Sequence, residues 1–384
     1  MITVLYITSV VGQSNGAAQS LYYLIDSVRE NVKPIVLCKS YGGAYSFFVD
    51  HGIECYVSPF AKVYGDSRKW FHYVLHPWRL QFVKNYRYVR AAARMLKKEL
   101  SGRHIDIIHT NESTMVIGRN LSNILKCKHV WHIREYLEIG SHLPGSLQIK
   151  LSRLKQMINK ADARIVISNP CWQHWELTEK NTWMLWDAVR SVKDCCYVKE
   201  KQPYVLFCSG VINDAKGGDK VVTAFGMSNL FVSSPKNKKV IRLKLIGGCD
   251  EGYKKKLMSI ADSYGCAEYI DFIPVQKEVK PFFAEAMAFI NPSFNEGMGR
   301  TTAEAMFFGC PVIAFASGGT LDLVRDGETG YLFNTIEDCA KLMQKVCATN
   351  QEEIIFRAQE FVKQNLSVEN YGGKVMEVYN SVLK

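Results

Sequence analysis

The feature that most constrains the fold is an alternation that runs along the whole chain. Short β-branched or apolar runs lie at residues 4–8, 35–38, 105–109, 130–133 and 164–167. A second series lies at 204–209, 243–246, 269–273, 288–290 and 312–315, and helix-period patterns separate the runs in both series. Strands that are apolar throughout are buried on both faces, and parallel pairing needs a crossover helix after each strand. The pattern therefore predicts an α/β chain with parallel, doubly wound sheets. Ten strands in 384 residues divide more naturally into two sheets than one, and that length suits two domains.

The second series starts afresh after the polar, Pro-containing segment Lys199-Glu200-Lys201-Gln202-Pro203. The reading is an N-terminal Rossmann-like domain over 1–190, a second domain over 191–365 and a terminal helix over 366–384 that can return to the first. Gly372-Gly373 weakens that last helix. Residues 1–8 read as a first strand, since no basic segment or small-residue cleavage site accompanies them. No run reaches the roughly 20 apolar residues of a membrane span. The twelve cysteines are scattered, with no Cys-x-x-Cys pair, which fits reduced thiols. The expected location is cytoplasmic, or peripheral on the cytoplasmic face of a membrane. Doubly wound sheets bind ligands outside the carboxyl ends of their strands, so the expected site is a central cleft that both domains face.

The strand at 288–290 is followed by Asn291-Pro292-Ser293-Phe294-Asn295-Glu296-Gly297-Met298-Gly299-Arg300-Thr301 and a helix that carries Glu304. A Gly-bearing turn that opens a helix presents backbone N–H groups and a positive dipole end, an anion site. Carboxylates beside such a site are suited to accepting hydrogen bonds from sugar hydroxyls. Then come Gly309-Cys310-Pro311-Val312-Ile313-Ala314, the loop Ser317-Gly318-Gly319-Thr320, and the turn Asp326-Gly327-Glu328-Thr329-Gly330.

In order and spacing, these elements resemble the donor half of a retaining GT-B glycosyltransferase of family 4 (glycosyl transferases group 1), from about residue 205 to 333. The resemblance implies a GT-B fold with two Rossmann-like domains. It also implies that Glu304 binds the ribose hydroxyls of a nucleotide and that Glu296 contacts the transferred sugar. Backbone amides around Gly297, Met298, Gly299, Arg300 and Thr301 would hold sugar and diphosphate oxygens. The segment from Ser209 to Gly218 resembles the family's Gly-Arg…Lys-Gly loop, with Gly210 and Lys216 in place. Val211 stands where the family has a phosphate-clamping Arg, so the diphosphate must be neutralised by Lys216, helix ends or a basic residue such as Arg300.

In the first half, Gly16-Ala17-Ala18-Gln19 resembles the family's Gly-rich loop after the first strand, and Gly16 is the expected diphosphate contact. His132, in Trp131-His132-Ile133-Arg134-Glu135, resembles the histidine near the sugar and acceptor. Arg134 and Glu135 could instead pair and brace that loop. His109 reads as structural, and Ser168 and Asp187 are weaker site candidates.

The net charge of +11 favours an anionic partner. Residues 62–103 hold eleven Lys or Arg against two acids, interleaved with Trp and Tyr. This composition suits an anionic membrane, with Arg68, Lys69, Trp70, Trp78, Arg79, Arg87 and Arg90 as candidate membrane or acceptor contacts. A solvated face over an ordinary core also fits, since Tyr88, Ala91, Ala92 and Met95 keep a helical spacing. No nucleic-acid motif accompanies the charge, so nucleic acid is not an expected partner.

The functional expectation is a retaining transfer of a sugar from a nucleotide-diphosphate donor to a hydroxyl of a saccharide acceptor, lipid-linked in one version, in cell-surface polysaccharide biosynthesis. Glu296, His132 and Lys216 are the expected catalytic residues. No metal or other cofactor is expected, and the nucleotide sugar is a co-substrate. The alternatives are a non-catalytic sugar-nucleotide-binding subunit, a GT-B sugar-nucleotide epimerase, or a phosphorylase.

Overall fold

Each apolar run becomes a strand whose two faces are covered by helices. The computed structural model describes residues 1–10, 16–60, 62–66, 78–100, 102–136, 147–232, 239–294 and 296–384; side chains at 63–66, 78–85 and 147–150 are outside it. The chain divides into two compact units, Met1–Asp187 together with Tyr371–Lys384, and Ala188–Asn370.

In the first unit the strands are β1 (Ile2–Thr8), β2 (Val32–Cys38), β3 (Glu54–Val57), β4 (Val63–Asp66), β5 (Ile107–Thr110), β6 (Lys128–Ile133), β7 (Leu147–Lys150), β8 (Ala163–Val166) and β9 (Thr182–Met184). Seven form a parallel sheet in the order β3-β2-β1-β5-β6-β8-β9, while β4 and β7 pair separately. The helices are α1 (Gly16–Ser27), α2 (Gly43–Asp50), α3 (Trp78–Glu99), α4 (Ile117–Leu125), α5 (Leu151–Asn159) and α6 (Asn169–Trp175). Leu5, Ile7, Ile35, Leu37 and Ile108 of the sheet pack with Val89, Ala92, Ala93 and Leu96 of α3.

The second unit holds β10 (Tyr204–Val211), β11 (Arg242–Gly248), β12 (Ile270–Ile273), β13 (Ala288–Asn291), β14 (Val312–Phe315) and β15 (Tyr331–Phe333) in one parallel sheet, in the order β12-β11-β10-β13-β14-β15. Its helices are α7 (Gly218–Ser228), α8 (Glu251–Ser263), α9 (Lys280–Glu285), α10 (Arg300–Phe307), α11 (Thr320–Leu323), α12 (Ile336–Ala348) and α13 (Glu352–Leu366). Strand order reverses at β1/β5 and at β10/β13, and sheets of this kind bind ligands at the carboxyl ends of the strands flanking such a reversal.

The final helix, α14 (Val368–Leu383), buries Tyr371, Gly372, Val375, Val378, Tyr379 and Val382 in the first unit's packing. Gly372 belongs in this helix despite its low propensity. A Cβ there would stand 2.0 Å from the Ser27 carbonyl oxygen, so only glycine permits the approach.

One expected core position is corrected. Along α3 the buried positions are Val89, Ala92, Ala93 and Leu96, and Ala91 is exposed. The apolar stripe is thus set one residue away from Ala91 on the helical wheel. The twelve cysteines are all free thiols. Among the described residues, no helix is long and apolar enough to cross a membrane.

Candidate functional site

In the second unit, the loops after β10 and β13 meet at the strand-order reversal. Asn213 turns the first loop by accepting the Lys216 N–H on its side-chain oxygen at 3.0 Å. Gly217 follows with φ 76°, and a Cβ there would sit 2.8 Å from Pro292, so this loop lies directly on the loop after β13. Lys216 is thereby delivered to Glu296: Nζ and Oε1 are 2.6 Å apart in a half-buried ion pair.

The segment beyond Glu296 is held by backbone contacts. Asn291, at the end of β13, accepts the Ser293 N–H at 3.2 Å and donates to Thr302 Oγ1 at 2.8 Å, which ties the strand to α10. Gly299 caps that helix with φ 90°, a left-handed conformation suited to glycine. The Gly319 N–H donates to the Glu296 carbonyl at 2.7 Å, and a Cβ on Gly319 would stand 2.2 Å from the Gly297 oxygen. The two glycine loops therefore touch backbone to backbone. The first turn of α10 has no intrahelical acceptors for its N–H groups, and its dipole favours an anion there. Met298 is buried, so any ligand contact it makes runs through its backbone.

Glu304 lies one turn into α10. Its Oε1 accepts from Arg190 Nη2 at 2.8 Å, with side-chain exposures of 15% and 25%, and the Arg190 guanidinium also stands 5.2 Å from the Phe308 ring centroid. Arg300 donates through Nη1 to the Ala188 carbonyl at 3.3 Å. Gly210 lies at the exposed end of β10 with open space around it, and Val211 is exposed beside it.

One corner of the second unit thus gathers Lys216, Glu296, Gly297, Met298, Gly299, Arg300, Thr301 and Glu304. Each carboxylate is matched to a cation, and a helix start lies between them. Arg190 was not singled out from the sequence. Its partner is 114 residues away, so no local pattern points to it.

In the first unit, Gly16 is the exposed first residue of α1, and residues 11–15 before it lie outside the described residues. His132 ends β6 with a side chain that has no exposed surface. Its Nδ1 is 3.2 Å from both His109 Nε2 and Arg134 Nη2. Among the described residues its Nε2 has no hydrogen-bond partner, and it is 3.8 Å from Asp187 Oδ1. His109 Nδ1 meets the Tyr379 hydroxyl at 2.8 Å, and that hydroxyl is 3.2 Å from the hydroxyl of Tyr6. Burial first, and then the charge of Arg134, hold both imidazoles well below the usual histidine range.

The anticipated Arg134–Glu135 side-chain pair is not what forms. The Arg134 guanidinium pairs with Asp187 and donates to Asn111 Oδ1 at 3.0 Å, while Glu135 accepts the Arg134 backbone N–H at 3.2 Å. Two acceptors already face the guanidinium, leaving Glu135 to the N–H and hydroxyl of Ser113 at 2.8 and 2.5 Å. Burial, and next the charge of Glu112, push the Glu135 carboxyl up to about 7. Asp187 also accepts from the Tyr371 hydroxyl at 3.2 Å. Ser168 caps α6, its hydroxyl accepting the Cys171 N–H at 3.3 Å.

Of the basic candidates, Arg87 and Arg90 are exposed on α3, together with Arg94, Lys97 and Lys98. Arg68, Lys69 and Trp70 lie outside the described residues, as do the side chains of Trp78 and Arg79.

Two parallel-sheet Rossmann-like units of this kind are the GT-B architecture. The chain is similar to the Anabaena protein HepE, solved in complex with UDP and glucose, with a TM-score of 0.76 at 17% identity over 99% of this chain and 100% of that one. Residues 197–360 match the sequence profile of the Glycosyl transferases group 1 family, so the second unit carries a domain of that family. An uncharacterized glycosyltransferase of Haemophilus influenzae is 30% identical over 37% of this chain and 39% of its own length. The alpha-1,3/1,6-mannosyltransferase ALG2 of Dictyostelium discoideum is 37% identical over 29% of each chain. The aligned stretch thus spans well under half the length of these curated relatives.

Proposed function

We propose that this chain is a GT-B glycosyltransferase of family 4. It moves a sugar from a nucleotide diphosphate to an acceptor hydroxyl with retention of anomeric configuration. The observation that carries the reading is the corner of the second unit where Glu296 and Glu304 flank a glycine-capped helix start, each held by its own cation. Glu304 accepts hydrogen bonds from the ribose, Glu296 orients the transferred sugar, and the start of α10 with Lys216 stabilises the departing diphosphate. Bond cleavage leaves the electron pair on the diphosphate oxygen. The acceptor oxygen attacks from the same face, and its proton passes to that phosphate. The chain contributes positioning and charge stabilisation.

Val211 supplies no charge, so Lys216 and Arg300 carry that task. The Lys216–Glu296 pair fits a site that waits for its anion with the lysine already in place. HepE, the structural neighbour, binds UDP, which supports a uridine donor as the first to test. The experiment is a thermal-shift screen across nucleotide sugars. A donor that raises the melting temperature through mass action is then assayed for nucleotide release with and without saccharide acceptors. Binding without release would favour the non-catalytic subunit.

We further propose that the acceptor is lipid-linked, in cell-surface polysaccharide assembly, and that α3 docks the enzyme on an anionic leaflet. Arg87, Arg90, Arg94, Lys97 and Lys98 are exposed, and the guanidinium of Arg90 stands 4.7 Å over the exposed Tyr86 ring. The apolar face of the described turns is taken up by the core, so docking there is electrostatic rather than insertive.

A further inference from the structure

We infer that Arg134, with a hydrogen-bond chain from Tyr6 through Tyr379 and His109, fixes His132 as the tautomer protonated on Nε2, so that this histidine is a hydrogen-bond donor and not a base. The assignment follows from what each partner can do. A guanidinium only donates. Arg134 Nη2 lies 3.2 Å from His132 Nδ1, so that nitrogen is the acceptor and carries no proton. His109 Nε2, also 3.2 Å away, must then be a donor. A neutral imidazole has one N–H, so His109 Nδ1 is an acceptor, and the Tyr379 hydroxyl 2.8 Å away donates to it. The Tyr379 and Tyr6 oxygens are 3.2 Å apart, and with the Tyr379 proton on His109 the Tyr6 hydroxyl is left as the donor of that pair. Every member of the chain has one self-consistent role. Reversing any bond sets the His132 Nδ1–H against the guanidinium.

His132 is left with its proton on Nε2, the ring atom without a hydrogen-bond partner among the described residues. Asp187 Oδ1 stands 3.8 Å from it, itself held by Arg134 and the Tyr371 hydroxyl. The one lone pair of the ring is shared by two donors, so His132 has no site to take a proton from an acceptor hydroxyl. Its Nε2–H suits an oxygen: the Asp187 carboxylate after a small shift, or a sugar hydroxyl. His109 and Tyr379 act through His132 and are positioning residues.

The consequence for catalysis rests on the transferase reading, while the tautomer does not. The test is a long-range proton–nitrogen NMR spectrum of the full chain labelled with 15N-histidine, with His132 assigned by its loss in His132→Gln. The expected pattern is a protonated Nε2 and an unprotonated Nδ1 from about pH 6 to about pH 8. A protonated Nδ1, or a His132 signal that titrates in that window, overturns the inference whether or not a donor has been found.

In Tyr379→Phe the His109 signal moves to an average of both tautomers, while Arg134 still holds the His132 proton on Nε2. Turnover falls about 5- to 100-fold through kcat rather than the donor KM, as for one lost buried hydrogen bond. A Tyr379→Phe spectrum identical to wild type removes Tyr379 from the chain. His132→Gln, which keeps an N–H at similar reach, retains more turnover than His132→Ala; equal losses count against the donor role.

Discussion

Replacing Glu304 by Gln keeps the side-chain shape and removes its charge, which separates two roles of this residue. Without ligand, Glu304 neutralises Arg190 at 2.8 Å, with side chains 15% and 25% exposed. Exposed ion pairs are worth about 0.2–1 kcal/mol, and breaking a fully buried pair costs about 3–5 kcal/mol. A pair of intermediate exposure should lose about 1–2 kcal/mol. In a unit of this size that lowers the melting temperature by about 2–8 °C.

On the proposed reading, two ribose hydroxyls donate to the carboxylate when the nucleotide binds. Hydrogen bonds to a charged acceptor contribute about 1 kcal/mol more than neutral ones, up to about 1.5. Two of them give about 2–3 kcal/mol, or about 30- to 150-fold in Kd. Calorimetry with the nucleotide diphosphate that wild type binds measures this directly. A variant whose melting temperature falls as calculated, but whose Kd stays within about threefold of wild type, would leave Glu304 with a structural role only.

Four further outcomes follow from the same geometry. Glu296→Gln frees Lys216 from its 2.6 Å pair and slows transfer more than it weakens nucleotide binding, read as a fall in kcat at nearly constant donor affinity. Gly319→Ala abolishes donor binding in calorimetry, because its Cβ would meet the Gly297 oxygen at 2.2 Å and part the two glycine loops. Charge reversal at Arg87, Arg90, Arg94 and Lys97 removes co-sedimentation with anionic liposomes; unchanged sedimentation refutes electrostatic docking by α3. The Glu135 carboxyl is raised to about 7, so its folded state favours the protonated form. That contribution to stability is full below the ordinary carboxyl range and is lost as pH rises towards 7. Unfolding of wild type against Glu135→Gln across that window should show wild type losing ground as pH rises; parallel curves would refute it.

The sheets were legible wherever a strand is central. Val4 to Ile7 and Val205 to Cys208 are buried on both faces and read as apolar runs. Of the four edge strands of the two large sheets, β12 was legible as the run at 269–273, and β3, β9 and β15 were not. All four residues of β3 are only partly buried, and β9 and β15 have three residues each, too few for a period to declare itself. The corner at the start of α10 was readable because its parts lie at fixed offsets along one stretch, from Glu296 through Gly299 to Glu304. Arg190 and the His109–His132–Arg134–Asp187 cluster were not, since their partners are distant in sequence and a linear pattern carries no pairing. Gly372 reads locally as a helix breaker, and only the Ser27 carbonyl against it explains why the helix requires it.

The course of the chain has a consequence for its own synthesis. Arg190 and Ser367 pair as a parallel bridge, with the Val189 N–H on Leu366 and the Val368 N–H on Arg190, so the second unit begins and ends at one point. It is an insertion within the first unit. A ribosome adding about 5–20 residues per second needs on the order of 10–40 s to pass through it. During that interval the sheet of the first unit is already made, but the helix bearing Tyr371 and Tyr379 is not. The groove that will receive Val375, Val378 and Val382 stands bare, and His109 lacks the hydroxyl that sets its proton. The nascent chain therefore completes its second unit first, and its histidine centre last.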